Sequence, residues 1–335
     1  MNYGGKIDEK GKMGNFKHRE NSSKVINSSI WTGAKCCRCR IASGSGKAEE
    51  VAALFDIAKS YTSYEEMLQD PEIDAVYIPL PNHLHKKWTL EAAKHGKHIL
   101  CEKPASLTAD ETKEMVDFCH EKNVKFMEAF MYQFHPQHER VREIIKSGEI
   151  GEVRFMRASF SFFLAQPEGS IKMDPGKGGG SLYDVGCYAI HSIRNILGAD
   201  PVEVDVHANV DSDYQVDTSA YGYMQMDNGV HAHFDCSFDM VFRAEYEVIG
   251  TEGQIKVPRA FRPDNHGGEG LVIVQKETVT REEKIVADIY KEEVEHISRV
   301  ILEDGEPSYS GENAIQNMRV IEACYQSIKT GNKIK

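Results

Sequence analysis

His98-Ile99-Leu100-Cys101-Glu102-Lys103-Pro104 is the stretch whose reading decides the fold. A short apolar run stops at an acid, a base and a proline. Proline has no amide proton to give a sheet ladder, so a strand must end there. Glu102 and Lys103 are then left at the carboxyl end of a buried strand, the edge where open parallel sheets bind ligands. A lysine held at that edge can favour the ionised form of a nearby hydroxyl and lower its pKa. Glu-Lys-Pro alone is an ordinary loop entrance; its surroundings give it weight.

Those surroundings alternate between helix and strand. Ala48 to Phe55 is an alanine-rich helical run, and Ser63-Tyr64-Glu65-Glu66 is a capping box opening a short helix. Asp74 to Leu80 carries the buried strand Ala-Val-Tyr-Ile, stopped by Pro79 and Pro81. Asn82-His83-Leu84-His85 leads into a helix that runs to His95 and closes at Gly96. Thr108-Ala109-Asp110-Glu111 is a second capping box, for a helix through His120. Val124 to Met127 is the next strand, ending at Glu128-Ala129. Short connections between such elements predict a parallel sheet covered by helices.

The pattern changes after about Phe134. Pro136 to Ser147 reads as a helix, and from Val153 the strands alternate in and out. Val230 to Phe238 is the clearest, with one apolar and one polar face. His231 and His233 share the polar face; with no third ligand suggested, solvation is the simpler reading than a metal pair. This half predicts a mostly antiparallel sheet with one face packed and the other available to a partner. Ile315, Met318, Ile321, Cys324 and Ile328 give the last helix an apolar stripe. Between the halves, Gly178-Gly179-Gly180 precedes Ser181 to His191. Read as an α-helix, that run sets Asp184 and Tyr188 four apart on one face, with His191 a turn further on. An acid, a phenol and an imidazole on one stripe suit proton transfer, or a core helix with satisfied polar groups.

The 335 residues carry a net charge of −12, which argues against a nucleic-acid surface. No apolar run reaches membrane-spanning length, and no secretory signal is evident, so the expectation is a cytoplasmic protein. Eight cysteines follow no small-scaffold spacing, and reduced thiols are expected. Charge is uneven. Residues 1–47 hold ten Lys/Arg against three Asp/Glu, a net of +7, which leaves −19 on the rest.

Residues 1–47 form an anomalous segment ahead of the alternating pattern. Cys36-Cys37-Arg38-Cys39 lacks a second ligand pair for zinc, and Gly44-Ser45-Gly46-Lys47 lacks the parts of a phosphate loop. A frame shift accounts for the segment better. Codons able to encode Lys12 to Asn21, read one nucleotide forward, permit K-W-G-I-L-S-T-G-K-I. Permitted Ala/Val, Lys, Leu and Ala residues follow. Beneath Lys35 to Ala42 the shifted codons permit N-A-V-V-A-V-A-S, after which an arginine can follow. Strand, glycine turn, apolar helix and apolar strand is the start of a dinucleotide-binding βαβ unit. The expectation is that residues 1–47 are translated out of frame, with the frame restored between about Ser43 and Lys47. Read literally, the chain then lacks the glycine turn and the first two strands of its sheet.

Leu80-Pro81-Asn82-His83-Leu84-His85, Glu102-Lys103-Pro104, Glu128-Ala129-Phe130-Met131-Tyr132 and Gly-Gly-Gly-x-x-x-Asp-x-Gly-x-Tyr resemble, in order and spacing, the glucose–fructose oxidoreductase/inositol dehydrogenase (Gfo/Idh/MocA) family. The resemblance covers Ala48 to the C-terminus. Tyr188, where inositol dehydrogenases have histidine, is similar to the dihydrodiol dehydrogenase and D-xylose dehydrogenase branch. Gln133 departs from that branch's Met-Tyr-Arg-Phe-His-Pro.

The resemblance implies an α/β fold. A Rossmann-type parallel sheet domain, its N-terminal part damaged, spans 48–130. A C-terminal α/β domain with a large, mostly antiparallel sheet spans 131–335 and carries substrate binding and dimerisation. It implies NADP or NAD, a sugar, polyol, cyclitol or dihydrodiol substrate, and a homodimer or higher homo-oligomer. The possible Ser-Arg of the shifted frame favours NADP, because an arginine there can hold a 2′-phosphate. Tyr188 is then the acid/base, Lys103 its electrostatic partner, and Asp184 the group that orients Lys103 or binds substrate hydroxyls. His191 and Tyr132 fall in the substrate wall. Pro81, Asn82, His85, Glu102, Lys103 and Glu128 fall along the cofactor cleft. The competing readings are a non-catalytic sugar-binding relative and a disabled product lacking its glycine fingerprint.

Overall fold

The computed structural model describes residues 40–42, 47–54, 57 and 59–335. The shifted-frame peptide and the cysteine cluster lie almost wholly outside the described residues. In the first unit, β3 (Ala75–Ile78), β4 (His98–Glu102) and β5 (Phe126–Ala129) form a parallel sheet. Register sets Ile78 opposite Cys101, and Cys101 opposite Glu128. The three carboxyl ends therefore finish along one edge. Helices α3 (His85–Lys94) and α4 (Ala109–Glu121) alternate with these strands.

Local chemistry explains the boundaries. Thr108 Oγ1 accepts from the Glu111 amide at 3.1 Å, and Ser63 Oγ does the same for Glu66 at 3.1 Å, opening α2 (Tyr64–Leu68). The acids of both boxes reach one residue further back than the reciprocal pattern, to the Leu107 and Thr62 amides. Gly96 and Gly198 end α3 and α6 (Cys187–Leu197) with positive φ, which no other residue adopts as cheaply.

One expectation about the literal N-terminus is corrected. Arg40–Ala42 forms a strand, β1, paired in parallel with β2 (Lys59–Tyr61). With α1 (Lys47–Leu54) between them, they make a βαβ crossover. The literal chain thus supplies a short strand before Ala48, where none was expected. Lys59–Tyr61 was itself illegible because three residues give no period.

The second unit is an eight-stranded sheet, in the order β13 (Thr280–Val286), β12 (Glu269–Gln275), β11 (Gln254–Val257), β10 (Asp239–Gly250), β6 (Val153–Phe163), β9 (His231–Ser237), β8 (Asp217–Met226), β7 (Pro201–Val210). All pairs are antiparallel except β6 with β9. On β9, Ala232, Phe234 and Cys236 are buried, while His231 and His233 are exposed. Tyr223 lies beside both histidines, and its hydroxyl pairs with His231 Nδ1 at 2.8 Å. Helix α6 packs on the buried face.

The two units share their last helices. Val294, Ile297 and Val300 of α7 (Ile289–Leu302) pack with Leu100, Met127 and Ala129 of the parallel sheet. The stripe on α8 (Gly311–Thr330) divides: Ile315 joins the first unit's core, whereas Met318, Ile321 and Cys324 join the second's. Residues 289–330 thus complete both cores and fix one sheet against the other. Among the described residues no helix is long and apolar enough to cross a membrane.

Candidate active site

Lys103 leaves the end of β4 and crosses to the second unit. Its Nζ donates to the Asp184 carbonyl oxygen at 2.6 Å and to Asp184 Oδ1 at 3.4 Å. The same ammonium lies 4.8 Å from the centre of the Tyr188 ring. Burial opposes the charge on Lys103, but Asp184 and further anionic neighbours more than offset it. Lys103 is therefore held above the usual lysine range, protonated at neutral pH.

Asp184 and Tyr188 do not ride one regular α-helix, as the four-residue spacing suggested. Leu182–Gly186 is a π-turn that leads into α6. Such turns rotate residues relative to α-helical spacing and recur at functional sites. Asp217, on β8 (Asp217–Met226), anchors the start of this segment. Its buried carboxylate accepts from Ser181 Oγ and the Leu182 amide, each at 2.7 Å, and from the Tyr325 hydroxyl at 2.9 Å. Gly180 has φ +114°, and a Cβ there would run into Asp217.

Burial outweighs the effect expected of Lys103 on Tyr188. The tyrosine is 5 % exposed, and burial first, then the Glu102 carboxylate, push its phenol well above the usual range. Lys103 lies over the ring face, and the hydroxyl points to Met131 Sδ at 3.4 Å. The phenol keeps its proton at neutral pH.

The substrate-wall pair is also placed differently. Tyr132 is fully buried, its hydroxyl 2.6 Å from His191 Nδ1. His191 stacks on Phe130 at 4.2 Å, and burial holds it neutral, well below the usual imidazole range. Both sit behind Tyr188 in an aromatic cluster, because the Tyr132 hydroxyl finds its partner inside the core.

Along the parallel-sheet edge, Pro81 enters a 3-10 turn, and Asn82 Nδ2 donates to the Gly178 carbonyl at 3.0 Å. That bond ties the first unit to the glycine run. Glu102 receives the Tyr77 hydroxyl. His85 and Glu128, expected along the cofactor cleft, are buried and bonded to backbone. The buried His85 ring contacts the Leu80 and Pro104 carbonyls at 2.7 and 3.0 Å, joining the ends of β3 and β4. Glu128 Oε1 accepts the Ala105 amide at 2.7 Å, and burial pushes its carboxyl up to about 8.

Two contributors escaped sequence reasoning. Lys172 binds the other carboxylate oxygen of Asp184, and Asp217 anchors the π-turn. Ile171-Lys172-Met173 carries no period or motif. Asp217 lies on a strand far from its partners in sequence, so nothing local marks either residue.

Comparison with known proteins agrees with this architecture. Residues 32–130 match the model for an oxidoreductase family with an NAD-binding Rossmann fold, and residues 138–256 match the GFO/IDH/MocA C-terminal domain. The first match begins inside the anomalous N-terminal segment. The chain is 39 % identical over 289 residues to D-xylose 1-dehydrogenase (NADP(+)) 2 of Haloferax volcanii, covering 86 % of this chain and 88 % of that one. It is 34 % identical over 217 residues to trans-1,2-dihydrobenzene-1,2-diol dehydrogenase of Mus musculus, covering 65 % of each. Among solved structures, a 3-ketoreductase from Actinomadura kijaniata in complex with NADP and TDP-benzene superimposes with a TM-score of 0.81 at 27 % identity, covering 86 % of this chain and 88 % of that one. The parallel-sheet unit matched to an NAD-binding fold and the second unit matched to its C-terminal partner define an oxidoreductase with a dinucleotide-binding domain. The chain belongs to the GFO/IDH/MocA oxidoreductase family.

Proposed function

We propose that this protein is an NADP-dependent dehydrogenase that transfers hydride between nicotinamide and a hydroxyl carbon of a sugar, polyol, cyclitol or dihydrodiol. The observation that carries the reading is the position of Lys103, between Asp184, whose carbonyl and carboxylate both accept from it, and the Tyr188 ring, at the carboxyl edge of a parallel sheet. The substrate class rests on the relatives, which include a D-xylose dehydrogenase and a dihydrodiol dehydrogenase.

The sheet-edge residues offer both donors and an acceptor to the nicotinamide end of such a cofactor: Asn82 and Lys103 can donate, and Glu102 can accept. Pro81, Asn82, Glu102 and Lys103 would hold it, on loops that His85 and Glu128 brace. The glycine turn that would take the diphosphate belongs to the shifted-frame reading of residues 1–47, almost wholly outside the described residues. When bound, the nicotinamide supplies the hydride acceptor or donor. The protein's own task is the proton. In reduction, the neutral Tyr188 phenol donates its proton to the carbonyl oxygen. In oxidation, the phenolate that must accept a proton is favoured by the Lys103 ammonium. Asp184 keeps that ammonium over the ring, and Tyr132 with His191 fixes the wall behind Tyr188. NADPH formation from NADP and D-xylose, or from a trans-dihydrodiol, tests the reading. Catalysis of neither oxidation by a frame-restored protein would refute it.

The same proposal includes a cytoplasmic homodimer joined through the outer face of the eight-stranded sheet, where Tyr221, His231 and His233 are exposed. The five described cysteines are free and buried, consistent with a reducing compartment. Light scattering is expected to give twice the mass of one chain; a monomer at micromolar concentration would count against the dimer.

A further inference from the structure

The glycine run Gly178–Gly180 has no role in the proton chemistry, and Lys172 belongs to no recognised motif. They meet. The Gly180 amide donates to the Lys172 carbonyl at 2.8 Å, and the Gly179 amide donates to the Asp174 carbonyl at 2.9 Å. A Cβ at Gly179 would lie 2.7 Å from the Lys172 carbonyl oxygen and 2.8 Å from the Asp174 backbone. Only glycine lets the turn at residues 171–174 sit this close. So seated, Lys172 sends its ammonium past the Phe162 ring, 5.4 Å from its centre, to Asp184 Oδ2. Lys103 holds Oδ1 of the same carboxylate. The two lysines differ in access: the Lys103 side chain is 9 % exposed, that of Lys172 29 %.

We infer that Lys172 is a positioning residue for the reaction, holding the outer oxygen of Asp184 so that the inner oxygen, together with the Asp184 carbonyl, keeps Lys103 over Tyr188, and that position 179 is glycine so that the Lys172 loop can be seated. Nothing in the inference requires Lys172 to touch substrate. It rests on the proposed function, since the proton chemistry gives the position of Lys103 its importance. A carboxylate held at one oxygen can swing about its side-chain torsions; held at both, it cannot.

Two measurements test this. The first needs no cofactor. Acetylation of Lys172 in the full chain, followed peptide by peptide by mass spectrometry, is expected to speed up several-fold in Asp184→Asn, while the exposed Lys113 keeps its rate. An unchanged rate at Lys172 would overturn the pairing. The second uses a frame-restored enzyme. Lys172→Met is expected to lower kcat for the sugar about tenfold, the scale of one charge-assisted contact. NADPH affinity should stay within about twofold, and Lys172→Arg should recover most of kcat. Gly179→Ala should lower kcat in the same direction, and the double variant should lose little more than Lys172→Met alone. Full kcat in Lys172→Met, or additive losses, would overturn the inference. An altered acetylation rate in a protein that oxidises no sugar would remove the proposed function and leave the lysine pair standing.

Discussion

Tyr188→Phe in a frame-restored protein is expected to lower kcat by about 10²–10⁴-fold, the usual scale for removing a general acid. Its sugar KM and NADPH affinity should change little. The substitution deletes one oxygen from a ring held on every side by Phe130, Phe160, Tyr132 and Phe261, so the ring itself stays in place. The lost contact to Met131 sulfur is weak. A large kcat loss at constant thermal stability would therefore report proton transfer and not packing. The pH dependence should help to identify the group. Because burial keeps the phenol protonated through the neutral range, carbonyl reduction should persist at neutral pH and alcohol oxidation should improve toward alkaline pH. Tyr188→Phe turnover within about threefold of the parent would transfer the proton role to another group.

Restoring the reading frame across residues 1–47 is expected to have the larger effect on the molecule as a whole. The permitted peptide supplies a strand, a glycine turn and an apolar helix ahead of the β1 position. A glycine turn opening a helix gives a diphosphate backbone amides and the positive end of the helix dipole. Charge-assisted contacts of this kind are worth about 1.5–3 kcal/mol each, so two of them make about 10²-fold or more in affinity. The parallel sheet should gain as well. As described, it consists of a three-stranded ladder and a separate pair of three-residue strands. With domain stability typically about 5–15 kcal/mol, a restored first strand should raise the melting temperature clearly. Equal melting temperatures would show that residues 1–47 are no defect. DNA resequencing decides whether the shift is real.

Much of the fold could be read from single residues. Pro104 marks the end of β4, Thr108 and Ser63 cap their helices, and alternation along Val230–Phe238 gives β9. These signals are local, so they survive without a structure. The site was legible as far as it was built at a strand end and along one short run of sequence: Lys103, Asp184 and Tyr188 come together. Other features depend on contacts distant in sequence. Lys172 reaches Asp184 only because the 171–174 turn folds onto Gly179. Asp217 anchors Leu182 from another strand. The π-turn at Leu182–Gly186 leaves no periodic trace in five residues. The sequence also did not show that Tyr132 and His191 would satisfy each other in the core, or that His85 and Glu128 would be buried and bonded to backbone. Polar type and position alone do not distinguish a residue lining a cleft from a buried one.

We propose that Lys103, Asp184 and Tyr188 form an oxidoreductase site and that the literal sequence of residues 1–47 carries no glycine fingerprint for the cofactor. NADPH fluorescence titration of this chain and of its frame-restored version tests that claim most directly. Saturable binding is expected for the restored protein, and binding at least about 10²-fold weaker for this chain. Tight binding by this chain would show that residues 1–47 hold a phosphate cradle of another kind. Binding by neither protein would contradict the oxidoreductase reading itself.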